Sequence, residues 1–307
     1  MKIIKRYGTI FALILIYVGF SVLSPYVFPT MRNLMNILLQ ISLLTIISQG
    51  ATIIVITKDF DLSIAAGASL GGVISAGLIV KGIPIGVAIG VALFIGIIMG
   101  ILNGFIVARL RISSFIGTLA TSTIIGGITF WYTQGATIFS GIPDSFLILG
   151  QGKVIGIPIP TILMFLILGI VWFMLYYTEL GRKFYAVGEG PEVARLSGID
   201  VEKIRIIAFA ISGFLGVLTG IVLASRLGSA HPTAGNAYLL KAYAAVFLGM
   251  TVFKDGRANP IGTFVGALIM GILANGLTIL DVPYYFQDML TGIIIIIALL
   301  SRSVKIL

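Results

Sequence analysis

The sequence predicts an all-α polytopic membrane protein of about ten transmembrane helices, and three observations predict it. Hydrophobic residues make up 58% of the 307 and charged residues only 10%, against about 25% charged in soluble domains. Mean hydropathy is +1.14. The apolar residues also fall in runs close to the roughly 20 residues that a helix needs to cross a bilayer. A single domain over residues 1–307 is the expected organisation.

The first run, 9–27, follows a basic start, Met1-Lys2-Ile3-Ile4-Lys5-Arg6. It looks like a signal peptide, but no A-x-A-like cleavage site follows and many further runs do, so it is read as a retained first helix. Runs two and three, 33–56 and 62–80, are joined by the polar cluster Lys58-Asp59-Phe60-Asp61-Leu62-Ser63. Asp61 either N-caps the third helix, where a carboxylate accepts from free N–H groups at the positive end of the dipole, or lines an inner gate. Runs four and five, 83–108 and 112–133, precede a longer polar loop, and run six is 158–178. A charged loop, about 179–203, leads to run seven at 204–225. Run eight, 237–253, is the weakest, being short with Lys241 near its mouth; a re-entrant segment is the alternative, tolerated where it is buried in protein. Runs nine and ten are 260–280 and 284–301.

With the N-terminus inside, fifteen of the 20 cations fall on the cytoplasmic side and five outside, namely Arg32, Lys81, Lys153, Arg226 and Lys241. The positive-inside rule therefore supports ten crossings with both termini cytoplasmic. The excess of Lys and Arg, 20 against 11 acids, is a matter of topology and does not imply nucleic acid as a partner. Glycines at small-xxx-small spacing, Gly86-Gly90, Gly96-Gly100-Gly104 and Gly262-Gly266, predict close helix packing in lipid. Residues 98–104 and 269–276 echo one another, a weak sign of a structural repeat.

Several chemistries are excluded. There is no cysteine and only one histidine, His231, so no thiolate or His-cluster metal site is expected. No cofactor is expected either. No G-x-x-x-x-G-K-[ST], H-E-x-x-H or G-x-S-x-G sequence occurs, so neither a P-loop nor a familiar hydrolytic centre is present. Acids sit near the ends of the runs, with only Asp288 inside one, which argues against an ion-coupled carrier with acids on its pathway. What remains is a passive channel or a pathway driven by a partner.

The 179–203 loop fits a driven pathway. Pro191 at the first helical position, Glu192 in the first turn, Arg195 toward the end and a stop at Gly198 predict a helix of about two turns on the membrane surface. The order of runs, the D-L-S cluster after the second, GRKFYAVGEGPEVARLSGI at 181–199 and AYLLKAYAAVFLG at 237–249 together resemble the permease subunits of bacterial ABC importers for monosaccharides, the ribose-type sugar permeases. The similarity covers almost the whole chain, and the long loop motif is its most specific part. Permeases for autoinducer-2, nucleosides and branched-chain amino acids share the architecture. The sequence departs from the usual pattern at Phe60-Asp61, where Gly-Ile commonly precedes Asp, and at Gly190, where Asn is frequent.

The resemblance implies two cytoplasmic ATP-binding subunits, an extracytoplasmic sugar-binding protein and a second permease, either a copy or a paralogue, in a cell inner membrane. It also implies a coupling helix that rests on the ATPase, with Gly188, Glu189, Pro191, Ala194, Arg195, Ser197 and Gly198 at the contact. Candidate pathway residues are Gln49, Thr57, Asp61, Asn103, Thr121, Asn236 and Asn275, for each of which an interhelical hydrogen bond is the competing role. Of the outside cations, Arg32, Lys81, Arg226 and Lys241 either meet acids on the binding protein or anchor helix ends at headgroups; Lys153 shares that choice. His231-Pro232 is expected to mark a turn. The competing function class is an ion-coupled secondary transporter.

Overall fold

A computed structural model describes residues 2–252 and 256–303. Lys254, Asp255 and Lys305 lie outside the described residues, as do the side chains of Lys2, Lys5, Arg6 and Arg302. Thirteen α-helices are present among the described residues. They are α1 (Lys2–Leu23), α2 (Met31–Ile56), α3 (Ile64–Val80), α4 (Ile85–Ala108), α5 (Ser114–Thr133), α6 (Asp144–Gln151) and α7 (Ile159–Tyr177). These continue as α8 (Glu179–Glu189), α9 (Pro191–Leu196), α10 (Val201–Leu227), α11 (Leu239–Met250), α12 (Pro260–Ile279) and α13 (Tyr284–Ser303). A two-stranded hairpin, β1 (Lys153–Val154) and β2 (Ile157–Pro158), joins α6 to α7.

Six of these helices, α2, α4, α5, α7, α10 and α12, are long and apolar enough to cross a membrane. Shorter apolar helical stretches lie at Thr9–Leu23, Ile64–Val80 and Tyr285–Ile296. The chain is thus all-α and polytopic. Run eight departs most from a simple span, because α11 has 12 residues and is about 18 Å long, well short of the roughly 30 Å hydrocarbon layer.

The core is built on α10, which packs between α3 and α4 and against α2. Glycines make that closeness possible. Gly96, Gly100 and Gly104 of α4 lie against Gly213, Phe209 and Ile206 of α10, where a methyl would overlap backbone atoms. Gly262 and Gly266 of α12 meet Gly249 and Ala245 of α11 in the same way. Small residues serve helix contact in lipid because dispersion and short interhelical bonds, not the hydrophobic effect, hold helices together there. Gly86 and Gly90 have nothing within 4 Å and do not pack inside the chain. The echoed segments have different surroundings: Asn103 lies toward the end of α4 against Ser63, Asn275 toward the end of α12 against Asn33.

Candidate functional site: a clamped turn, an exposed short helix and a cavity

The end of α2 is set by Lys58, whose φ of 59° places it in the left-handed region. Lys58 N–H donates to Val55 O at 3.0 Å and Asp59 N–H to Ile54 O at 3.1 Å, a Schellman closure that satisfies the last carbonyls of the helix. The chain then folds back into the bundle. Ile64, the first residue of α3, packs on Gly50 and Gly216, so α3 begins level with a point six residues, about 9 Å, short of the end of α2.

The returning turn is held by four helices, α4, α5, α10 and α11. Asp59 pairs with Arg205 of α10 through two bonds, one of 2.8 Å from Nε. Phe60 N–H donates to Ser114 Oγ at 3.1 Å and Leu62 N–H to Thr118 Oγ1 at 3.0 Å, both on α5. Asn103 of α4 donates to Ser63 Oγ at 2.6 Å. Tyr243 of α11 accepts from Asp61 N–H at 2.7 Å and approaches Asp61 O at 3.2 Å.

Asp61 itself is 1% exposed. It accepts from Ser63 N–H and Oγ at 3.0 and 2.6 Å, and from Ser212 Oγ of α10 at 2.7 Å. Ser63, not Asp61, occupies the N-cap position of α3. The expected N-cap role of Asp61 is not what the structure shows: Asp61 and Asp59 are both buried in a turn that re-enters the bundle before α3 begins. Burial is sustained because each carboxylate has its hydrogen bonds, which a buried charge requires.

The charged loop forms two helices. Thr178 N-caps α8 by accepting from Gly181 N–H at 3.3 Å, and Glu179 pairs with Lys183 one turn on at 2.7 Å. The Lys183 ammonium holds the Glu179 carboxyl below the usual range. One face of α8 is buried through Gly181, Phe184, Val187 and Gly188. Gly188 lies directly on the carbonyl of Ile56, the last residue of α2, and any side chain would overlap it. Tyr185 donates to Ala258 O at 3.0 Å, and burial pushes its phenol well above the usual value. Glu189 pairs with Arg257 at 2.7 Å.

α9 runs from Pro191 to Leu196, as its start and stop residues predict. Gly198, with φ of 82°, ends it: Gly198 N–H donates to Arg195 O and Ile199 N–H to Ala194 O. Arg195 pairs with Glu192 at 3.2 Å. Of the seven residues expected at a partner contact, Gly188 and Ala194 are buried in the chain's own packing, and Glu189 is tied to Arg257. Pro191, Arg195, Ser197 and Gly198 are exposed. Sequence reasoning missed Val193 and Leu196, which are 67% and 90% exposed. Their spacing of three, on the face opposite buried Ala194, was the available signal.

The expected pathway residues do not converge. Gln49 is buried, with Nε2 donating to Pro260 O at 3.3 Å and Oε1 without a partner. Thr57 donates to Ile54 O, and Asn103 and Asp61 belong to the clamped turn. Thr121 is half-buried on Thr118 O, and Asn275 accepts from Asn33 Nδ2 at 2.9 Å. Asn236 alone is exposed, in the 3-10 turn Asn236–Tyr238 before α11.

That turn lies deep. Gly235 N–H donates to Ser69 Oγ, second turn of α3, and Tyr238 packs on Leu43, the middle of α2. Thus the segment after α10 returns into the bundle before α11 begins. Irregular backbone at membrane depth is tolerated where protein covers it or a water-filled cavity adjoins it. A cavity does adjoin it, with a volume of about 270 Å³ and walls from α2, α10, α11, α12 and α13. Two residues expected to be outer docking cations belong here: Arg226 lines the cavity, and Lys241 lines it and pairs with Asp288 at 3.7 Å. Arg32 is exposed and Lys81 lies 5.2 Å over the Tyr132 ring. Lys153 is in β1. His231 Nδ1 accepts from Thr233 N–H at 3.2 Å, forming the expected turn. Among the described residues no three His, Cys, Asp or Glu gather to hold a metal.

Residues 33–299 match the family described as the branched-chain amino acid transport system / permease component. The chain belongs to this permease family. It is 40% identical over 295 residues to the ribose import permease protein RbsC of Haemophilus influenzae, covering 95% of this chain and 91% of the relative. The RbsC protein of Bacillus subtilis is 39% identical over 304 residues, 99% and 94% of the two chains. The D-allose transport system permease protein AlsC of Escherichia coli is 35% identical over 294 residues, 95% and 90%. No solved structure matches. In this permease the clamped turn, α8 and α9 all lie at one end of the bundle, and the cavity opens in the other half.

Proposed function

We propose that this permease is the transmembrane subunit of an ATP-driven importer for a monosaccharide such as ribose, resident in the cell inner membrane. It crosses the membrane ten times, with the broken segment ending in α11 counted as the eighth, and keeps both termini in the cytoplasm. Cations at the end carrying α8 and α9, among them Lys58, Arg109, Arg111, Arg182, Lys183, Lys203, Arg205 and Arg257, support that orientation. Two cytoplasmic ATP-binding subunits supply the energy, an extracytoplasmic sugar-binding protein delivers the solute, and a second permease completes the pathway. The permease carries no ATPase site of its own.

The observation that carries this reading is the exposure of Val193 and Leu196 on a helix whose other face is anchored. Two large apolar side chains at the tip of a charged loop suit a groove on a partner. The anchored face, through Ala194 and through Gly188 on α2, passes any displacement of α9 into the bundle. Pro191, Arg195 and Ser197 frame the contact, while Gly188, Glu189 and Gly198 shape the segment that presents it.

Leu196→Glu tests it in liposomes containing the permease, its ATPase subunits and the binding protein. The solvent-facing position predicts a folded protein whose solute-stimulated ATP hydrolysis and uptake fall at least tenfold. Normal stimulation would overturn the docking assignment. Solute accumulation by the permease alone under an ion gradient would instead favour a secondary transporter that uses the buried Asp61.

A further inference from the structure

The cavity in the half of the bundle away from α9 has contents that neither packing nor lipid contact explains. Its floor, at Leu44, is level with the middle of α2, while Arg226 near the end of α10 and Gln287 in the first turn of α13 set its rim at the end of the bundle away from α9. Its walls carry Gln40, Arg226, Lys241, Gln287 and Thr291, with Tyr238 at one side. Lys241 of α11 is paired across the rim with Asp288 of α13 at 3.7 Å, and both remain partly open, 38% and 64%. Gln40 makes no hydrogen bond to any described residue, and the Arg226 guanidinium has no acidic partner among them. The Gln287 amide donates to Thr278 Oγ1, but the ion pair, the Arg226 guanidinium and the Gln40 amide all border one cavity, and such groups within a membrane bundle face its interior or a water-filled space.

We infer that this cavity is a solute subsite for a neutral, polyhydroxylated molecule of monosaccharide size; the inference rests on the transport function proposed above and names the place where the solute pauses. The size fits, because about 270 Å³ lies just under the roughly 300–1,000 Å³ of pockets for drug-sized ligands. The chemistry fits as well. Hydroxyl groups donate and accept at once, and the walls supply both: carboxylate and amide oxygens accept, while ammonium, guanidinium and amide N–H groups donate. Pairing Lys241 with Asp288 leaves Arg226 as the one cation in the walls without an acidic partner among the described residues, a donor to hydroxyl oxygens. The remaining walls, from α2, α12 and α13, are apolar and meet the C–H faces of the ring.

The chain has no cysteine, so Ala274→Cys, in the cavity wall, gives a single reporter thiol in the full-length permease in proteoliposomes. A charged, water-soluble methanethiosulfonate reagent is expected to modify it. D-ribose, D-allose or L-arabinose at millimolar concentration is expected to slow modification at least threefold, while glycine betaine at equal osmolarity leaves the rate unchanged. In the background Lys241→Gln with Asp288→Asn, modification persists and sugar protection disappears. A thiol that reacts freely but is protected by none of the three sugars overturns the inference. An unreactive thiol overturns it too, and a disulfide between two permeases then identifies a second copy as the occupant. Each of these results leaves the transport function standing, since that is judged by ATP-driven uptake in the assembled complex.

Discussion

Removing the guanidinium of Arg205 is predicted to destabilise the fold far more than removing the whole ion pair. Asp59 is 3% exposed and Arg205 about a quarter exposed. With Arg205→Met, the Asp59 carboxylate stays buried and keeps only a 3.4 Å contact from Thr57 Oγ1. Breaking a buried pair from one side costs about 3–5 kcal/mol. The partial exposure of Arg205 admits water to one side, which favours the lower limit, about 3 kcal/mol. That is roughly a hundredfold change in the folding equilibrium, at about 1.4 kcal/mol per tenfold. Asp59→Asn with Arg205→Met removes both charges and should cost about 1 kcal/mol. Asp59→Asn alone leaves a guanidinium that reaches water and should cost about 1 kcal/mol, so a double-mutant cycle, read by reversible unfolding in mixed micelles, should give a coupling of about 3 kcal/mol in magnitude. Additive single effects, or a double variant no more stable than Arg205→Met, would refute the idea that this pair clamps the turn to α10.

Tyr243→Phe removes the acceptor of the Asp61 N–H and should cost about 1–3 kcal/mol, as for a buried donor left unpaired, measured in the same unfolding assay. Gly188→Val forces a branched side chain into the Ile56 carbonyl; a loss of about 1–3 kcal/mol from overpacking should accompany loss of solute-stimulated ATP hydrolysis in the complex. Asn275→Leu deprives Asn33 Nδ2 of one of its two acceptors, leaving Phe28 O. The cost should be near the roughly 0.6 kcal/mol average for interhelical bonds in membranes, visible as a small shift in unfolding midpoint with uptake retained.

The elements most legible in the sequence are those fixed by local rules. Pro191 and Gly198 mark the ends of α9 because one residue type fits the first helical position and another the left-handed closure. Gly96, Gly100 and Gly104 declare a contact face by spacing alone, although only the structure names α10 as what they touch. The clamped turn was not legible, because Arg205 and Ser212 lie 146 and 151 residues from their acids, and no local pattern encodes such pairing. One clue was present. The 17 residues of α3 extend only about 26 Å, short of a full crossing, and the missing length is the re-entry of 57–63. The same shortfall in α11 marks the segment beside the cavity.

The contact of Gly188 with the Ile56 carbonyl places backbone on backbone, with no side chain between to compress or change rotamer. Such a joint has no slack. When α8 shifts, the end of α2 shifts by the same distance, and the turn continuous with that end carries the shift to the helices bonded to it. The joint transmits position and not merely force. A joint of this kind predicts switching between a few discrete arrangements in place of gradual yielding under load.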